Sequence, residues 1–116
     1  MQFMVYNIRN MIIWKWILLE NKYFDSVLSE MQEVINEGGF TVEGNYLKSD
    51  TKSVKIEYFE ERQIYQIAIA DVVANVEGDY KVLSSWLFDD SQTARDAESV
   101  GMDFADALRK ELGFAK

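Results

Sequence analysis

The apolar residues of this chain change their spacing twice along its length. Residues 23–37 follow a helical period, residues 40–88 alternate as strands do, and residues 91–112 return to the helical period. Each amphipathic element must bury its apolar side against another element, so this order strongly restricts the packing. The pattern predicts an α+β fold: a two-layer sandwich in which two helices cover one face of an antiparallel β-meander.

The first predicted helix covers residues 23–37. Its apolar stripe consists of Phe24, Val27, Leu28, Met31, Val34 and Ile35. Asn21 is a suitable N-cap, and Gly38–Gly39 should end the helix because glycine accepts the left-handed conformation.

Four strand-like runs follow within residues 40–88. They are residues 40–46, 54–58, 64–70 and 80–88. The first run is predicted as one strand with Phe40, Val42 and Tyr46 on the same face. Residues 71–79 are predicted as a loop or an extension of the sheet edge. The short connections favour antiparallel neighbours, because parallel strands need a crossover.

The last predicted helix covers residues 91–112 and ends at Gly113. Its inner stripe is Ala94, Ala97, Val100, Gly101, Phe104, Leu108 and Leu112. The small residues come first, which predicts that the start of this helix lies close to the sheet. Asp89, Asp90, Ser91 and Thr93 are typical of a helix N-terminus.

Residues 1–20 have a different character from the rest of the single predicted domain, residues 1–116. Residues 3–8 and 11–19 are rich in β-branched and aromatic side chains, which favours strands. The alternative is a long helix continuous with the next one. The apolar run 11–19 is shorter than the ~20 residues that span a membrane, and it lacks the cleavage pattern of a secretory signal.

The chain contains no histidine, cysteine or proline and carries a net charge of −8. The absence of cysteine excludes disulfides and thiol-bound metals. An acidic domain repels phosphate backbones and anionic lipids, which argues against nucleic-acid and membrane partners. The composition predicts a cytoplasmic protein that is stabilised by packing alone.

The reactive side chains that remain are mostly carboxylates, and each has a simpler structural interpretation. Asp89–Asp90 should cap a helix, and Glu60–Glu61 should lie in a solvated turn. The loop 71–79 lacks the ligand spacing of an EF-hand. Ser84–Ser85 have no histidine to activate them. The sequence therefore predicts no enzyme activity, no cofactor and no metal.

Two regions are predicted as partner surfaces, for a protein or a second copy. The first is the apolar N-terminal stretch with Trp14 and Trp16 on one strand face. The second is the outer face of the last helix, where acidic residues surround an exposed methionine. This face consists of Asp96, Ser99, Met102, Asp103 and Asp106. The simpler interpretation of the second region is a solvated helix face.

The order of elements resembles the YbjN and type III secretion chaperone-like domains, which place helices against an antiparallel sheet. Segments 84–89, 96–100 and 104–108 are also similar to those of small uncharacterised bacterial domains. The resemblance covers residues 23–113 and implies protein binding. It includes no catalytic motif, so it implies no site residue. The chain departs from the chaperone-like pattern because no middle helix is predicted between the strands.

Three functional hypotheses follow. The first is a non-enzymatic interaction or chaperone-like domain that forms a homo-oligomer. The second is an acidic inhibitor or nucleic-acid mimic that occupies a basic groove. The third is a carboxylate-dependent hydrolase, which requires an Asp or Glu with a raised pKa in a pocket.

Overall fold

A computed structural model describes residues 23–114, and within that range it contains three helices and six strands. The helices are α1 (Phe24–Glu30), α2 (Gln32–Glu37) and α3 (Ala94–Leu112). The strands are β1 (Thr41–Glu43), β2 (Tyr46–Lys48), β3 (Lys52–Phe59), β4 (Ile64–Val73), β5 (Val76–Glu77) and β6 (Lys81–Leu87). This arrangement confirms the predicted α+β class. The predictions for residues 1–20, including both strands and the Trp14–Trp16 surface, and for the Asn21 cap fall outside the described residues.

The sheet is an antiparallel meander in the order β1-β2-β3-β4, with β6 on the far side of β4. β3 and β4 form its centre, and their register joins Val54 to Ile69 and Ile56 to Ile67. The short strand β5 pairs with the last residues of β4. Between the two terminal helical regions, the described chain contains strands and turns only.

The hydrophobic core lies between one face of the sheet and the three helices. The sheet contributes Leu47, Val54, Ile56, Tyr65, Ile67 and Ile69. The helices contribute Phe24, Val27, Met31, Val34, Ile35, Ala97, Val100, Phe104, Ala105 and Leu108. Arg109, which is largely buried, also connects α3 to α2 through Glu33 at 3.0 Å and Glu37 at 3.4 Å.

Residues 24–37 form two short helices rather than the single predicted helix. Met31 separates α1 from α2, with φ −100° and ψ 1°. Its N–H donates to the carbonyl of Leu28 at 2.9 Å, a tighter turn than an α-helix makes. The Met31 side chain is fully buried, so the apolar stripe continues across the break. The sequence shows neither proline nor glycine here and therefore gives no sign of the break.

The first predicted strand was wrong, because residues 41–48 form a hairpin. Gly44 adopts φ 63° at the first position of a two-residue turn, where a type II′ turn places glycine. The chain reverses there, so Val42 lies opposite Leu47 on the same face of the sheet. Leu47 is buried, whereas Val42 on the outer strand β1 is exposed. Apolar and polar residues alternate through the turn as well, so the sequence pattern did not reveal the turn.

The connection between β4 and β6 is an extended hairpin. Ala74 and Asn75 have φ 52° and 66°, which is the pattern of a type I′ turn. They join Val73 to Val76, and both valines are largely exposed, at 72% and 66%. The predicted alternative of an edge extension is therefore the correct one for this segment.

α3 begins at Ala94, three residues later than predicted, and ends at Gly113 with φ 77°. The small residues at its start were predicted to lie close to the sheet, but one of them has a different neighbour. Gly101 lies against α1 instead: a Cβ added there would come within 2.5 Å of the Val27 carbonyl oxygen. The missing side chain lets two helix backbones meet, which the sequence pattern does not distinguish from contact with the sheet.

Candidate interaction surface

β6 is an edge strand of the sheet that residues 23–114 form. One side of it pairs with β4, and no described residue pairs with its other side. The N–H of Phe88, directly after β6, donates to the Gln63 carbonyl at 2.7 Å. Because backbone groups alternate between the two sides of a strand, Ser85 and Leu87 point their N–H and C=O groups away from β4. We call this side of the strand the β6 edge.

The side chains beside the β6 edge are apolar and weakly charged. Val82 is 53% exposed and Leu87 is 60% exposed. Lys81 is the only charged residue in the strand. Natural edge strands are commonly protected by several charges, by proline or by a bulge. β6 has a register irregularity near Leu83, opposite Ile67 and Ala68, but its second half is regular.

The inner side of β6 is held firmly by α3. Asp103 Oδ2 accepts hydrogen bonds from the Ser84 hydroxyl at 2.5 Å and from the Trp86 indole N–H at 2.9 Å. Lys81 pairs with Glu111 at 2.9 Å. These contacts hold the side chains of Lys81, Ser84 and Trp86 on the α3 side of β6. The strand that carries the β6 edge is therefore fixed to the helix.

An aromatic cluster anchors the end of β6. Phe88 is buried, and its ring lies 5.0 Å from Tyr65 and 5.5 Å from Tyr23 in edge-on contacts. The Tyr58 hydroxyl donates to the Phe88 carbonyl at 2.8 Å. Burial is the main cause that raises the pKa of Tyr65 to about 12.

The open face of the sheet, opposite the helices, is partly covered by its own side chains. Tyr80 precedes β6, and its hydroxyl lies 2.8 Å from the Ser53 hydroxyl on β3. This side chain therefore crosses over β4, where the small residues Ala68 and Ala70 leave room. The Lys55 ammonium lies 4.4 Å from the centre of the Tyr80 ring. The β6 edge is thus more accessible to a partner than the middle of this face.

The five residues of α3 that were predicted as a partner surface do not all face the same way. Met102 is exposed, and Ser99 is half-buried. Asp103 faces β6. Asp96 accepts hydrogen bonds from the N–H and the hydroxyl of Thr93, at 2.8 and 3.1 Å, and so stabilises the helix start. Asp106 is exposed and lies 3.7 Å from Arg109.

Asp71 and Asp89 are held by contacts within the protein. Lys52 lowers the pKa of Asp71 through a hydrogen bond and its charge. Hydrogen bonds from Ser91 lower the pKa of Asp89. Both shifts are opposite to the raised pKa that a general acid needs. Among residues 23–114, no cluster of three or more acidic side chains is arranged to hold a metal ion.

A cleft of about 370 Å³ lies between β6 and α3. Ser84, Asp103, Lys110 and Glu111 are among its lining residues. The carboxylates and the ammonium group are mixed there, so the cleft does not favour an ion of either sign. Sequence reasoning missed Val82 and Leu87 as surface residues. The signal was available, because the last strand of a meander is an edge unless something else covers it.

No protein-family model, curated protein or solved structure matches this chain. No helix among the described residues is both long and apolar enough to cross a membrane.

Proposed function

We propose that this chain is a non-enzymatic, cytoplasmic protein-interaction domain that binds an extended segment of a protein partner along the β6 edge. The observation that carries the proposal is the outward backbone of Ser85 and Leu87, with which no residue in the range 23–114 pairs, on a strand with exposed Val82 and Leu87 side chains. An added strand would satisfy those backbone groups and cover both side chains, as in other β-augmentation complexes.

The energetic contributions are of two kinds. Each new backbone hydrogen bond contributes about 0.5–1.5 kcal/mol net. Burying the exposed part of Val82 and Leu87 adds a hydrophobic gain of about 1 kcal/mol for each side chain. The contacts of Asp103 with Ser84 and Trp86 hold β6 in place beforehand, which lowers the ordering cost of binding.

Charge restricts the kind of segment that fits. The protein carries −8 overall, while β6 itself contributes one positive side chain, Lys81. A strongly acidic segment would be repelled during approach by the whole domain. We therefore expect a neutral or basic segment that alternates apolar residues, from another protein or from a second copy of this chain.

Site-specific photocrosslinking in native cells tests the proposal. A photoreactive residue replaces Val82 in the full-length protein, and the matched control carries it at Glu98, an exposed position of α3. We expect a discrete adduct from position 82 that maps to one short peptide of the partner, and none from position 98. Equal adducts from both positions, or none from position 82, would contradict the proposal.

A further inference from the structure

We infer that the partner segment at the β6 edge carries an asparagine or glutamine whose carboxamide enters the cleft between β6 and α3. The inference rests on the proposed function and deepens it, since it names the side-chain chemistry that the same site selects. Three observations support it: the position of the cleft beside the β6 edge, the cancelling charges around the cleft, and the polar groups that line it.

The cleft lies on the side of β6 where an added strand would run. Asp103 accepts hydrogen bonds from Ser84 and Trp86, toward the end of β6. Glu111 pairs with Lys81, at the start of β6. α3 therefore runs along β6 in the opposite direction. The described residues that line the cleft come from β6 and α3 and not from β4, so the cleft opens toward the β6 edge.

An added strand would direct alternate side chains toward this cleft. It would lie about 4.8 Å from β6, and every second side chain would face α3, because successive side chains of a strand point to opposite faces. Such side chains are about 7 Å apart along the strand. The lining positions of α3 extend from Asp103 to Glu111, which is about 12 Å along the helix axis. The cleft therefore has the length for one or two side chains of the partner segment.

The charges around the cleft cancel. Three carboxylates and one ammonium group belong to the residues that line it, which are Asp103, Asp106, Glu111 and Lys110. Two further cations neutralise carboxylates of this set. Lys81 lies 2.9 Å from Glu111, and Arg109 lies 3.7 Å from Asp106. Because the negative and positive groups balance, an uncharged side chain fits the cleft better than a charged one of either sign.

The lining residues offer both kinds of hydrogen-bonding group. The carboxylates of Asp106 and Glu111 accept hydrogen bonds, and the ammonium group of Lys110 donates them. Lys110 forms no ion pair with another residue in the range 23–114. A carboxamide is uncharged and has two donors and an acceptor, so it can bind both kinds of group at once. An apolar side chain would displace water from them without replacing its hydrogen bonds, which is unfavourable.

Selection of peptides from a random library tests the inference. The library is displayed on phage and selected on the full-length wild type, on Lys110→Glu and on Arg95→Glu. Arg95 is exposed near the start of α3 and does not line the cleft, so this matched control changes the net charge by the same amount elsewhere. Hydrogen exchange of the Ser85 and Leu87 amides, which point away from β4, reports whether a selected peptide lies along the β6 edge.

We expect peptides selected on the wild type to alternate apolar residues with a face that carries asparagine or glutamine, and to protect both amides. Replacing the carboxamide residue with alanine should weaken binding about tenfold. On Lys110→Glu the selection should favour lysine or arginine at that position, because the charge around the cleft becomes negative. On Arg95→Glu the preference for a carboxamide should remain. The same preference on Lys110→Glu as on the wild type would overturn the inference.

The failure of this inference and the failure of the proposed function are distinguishable. Peptides that protect the Ser85 and Leu87 amides without a preference for asparagine or glutamine would refute the cleft assignment and leave the proposed function standing. Carboxamide peptides that respond to Lys110→Glu but leave both amides unprotected would refute binding along the β6 edge and leave the preference of the cleft standing. A library that yields no enriched peptide on the wild type would refute both.

Discussion

At the scale of single residues, Asp103 shows how a side chain expected to meet a partner can have an internal role. Its carboxylate takes hydrogen bonds from both Ser84 and Trp86, whereas the sequence places it in an acidic stripe with Asp106. A helical wheel gives the direction of a side chain but not what lies beside the helix. The strand that supplies both donors is distant in sequence, so local pattern could not predict this contact.

The substitution Asp103→Ala should destabilise the protein by about 2 kcal/mol, because it leaves two donors without their charged acceptor. The free energy of unfolding in urea measures the effect, and the emission of Trp86 should shift in the folded state. Asp106→Ala is the matched control on the same helix. Its side chain is exposed, so the expected change is within about 0.5 kcal/mol. Equal losses in both variants would contradict the assigned contact.

Tyr65 makes the free energy of unfolding depend on pH in the alkaline range. Burial raises its folded-state pKa from 10.0 to about 12. The unfolded chain then loses this proton at lower pH than the folded protein does. The contribution of Tyr65 to the free energy of unfolding is therefore complete below pH 10 and is lost as pH rises toward 12. A two-unit difference corresponds to about 2–3 kcal/mol.

The variant Tyr65→Phe should remove most of this dependence. We expect its free energy of unfolding to fall less steeply than that of the wild type between pH 10 and 12. Urea denaturation across this range measures the two slopes. Tyr58 and Tyr80 have pKa values raised mainly by burial, so some dependence should remain. Identical slopes in wild type and variant would refute the role of Tyr65.

At the scale of elements, the crossing of α3 and α1 depends on Gly101. In an exposed helix, Gly→Ala is stabilising by about 1 kcal/mol. Here the added methyl group would lie 2.5 Å from the Val27 carbonyl oxygen and 2.8 Å from Glu30 Cβ. The helices would have to separate, so we expect Gly101→Ala to destabilise the protein by about 2 kcal/mol.

Met102→Ala is the control for this prediction, because Met102 is exposed on the same turn of α3. It should change the melting temperature little. If Gly101→Ala raised the melting temperature, helix propensity would outweigh the contact, and the close crossing of α3 and α1 would be refuted.

The hairpin between β4 and β5 contains a strained residue. Ala74 has φ 52°, where a Cβ is unfavourable and glycine is not. Ala74→Gly should therefore stabilise the protein by about 0.5 kcal/mol after the entropy cost in the unfolded chain. The same substitution at Ala70, in the extended part of β4, should destabilise it. Thermal unfolding of the two variants checks the signs, and a loss of stability in both would contradict the turn assignment.

The elements that could be predicted from the sequence were those with one clear period. The strand faces of β3 and β4 and the end of α3 at Gly113 follow directly from alternation and from glycine. The hairpin at Gly44 was missed because its turn lies inside a run that alternates throughout. The β6 edge was missed for another reason: an edge is a property of strand order, which depends on pairings between distant segments.

At the scale of the whole molecule, the two edges of the sheet differ within the part of the chain that the structure describes. β1 is three residues long, whereas β6 is seven residues long. Short edge strands offer little to pair with, so a partner segment would gain more at β6. β6 contains no proline, so each residue in its regular second half keeps a backbone N–H.

The central claim is that the β6 edge pairs with an extended segment, and Ser85→Pro tests it most directly. The Ser85 N–H points away from β4, so proline there removes no hydrogen bond of the sheet. With the photoreactive residue at position 82, we predict that Ser85→Pro lowers the yield of the partner adduct about tenfold, while circular dichroism and the melting temperature change little. An unchanged yield in a folded Ser85→Pro variant would contradict the claim.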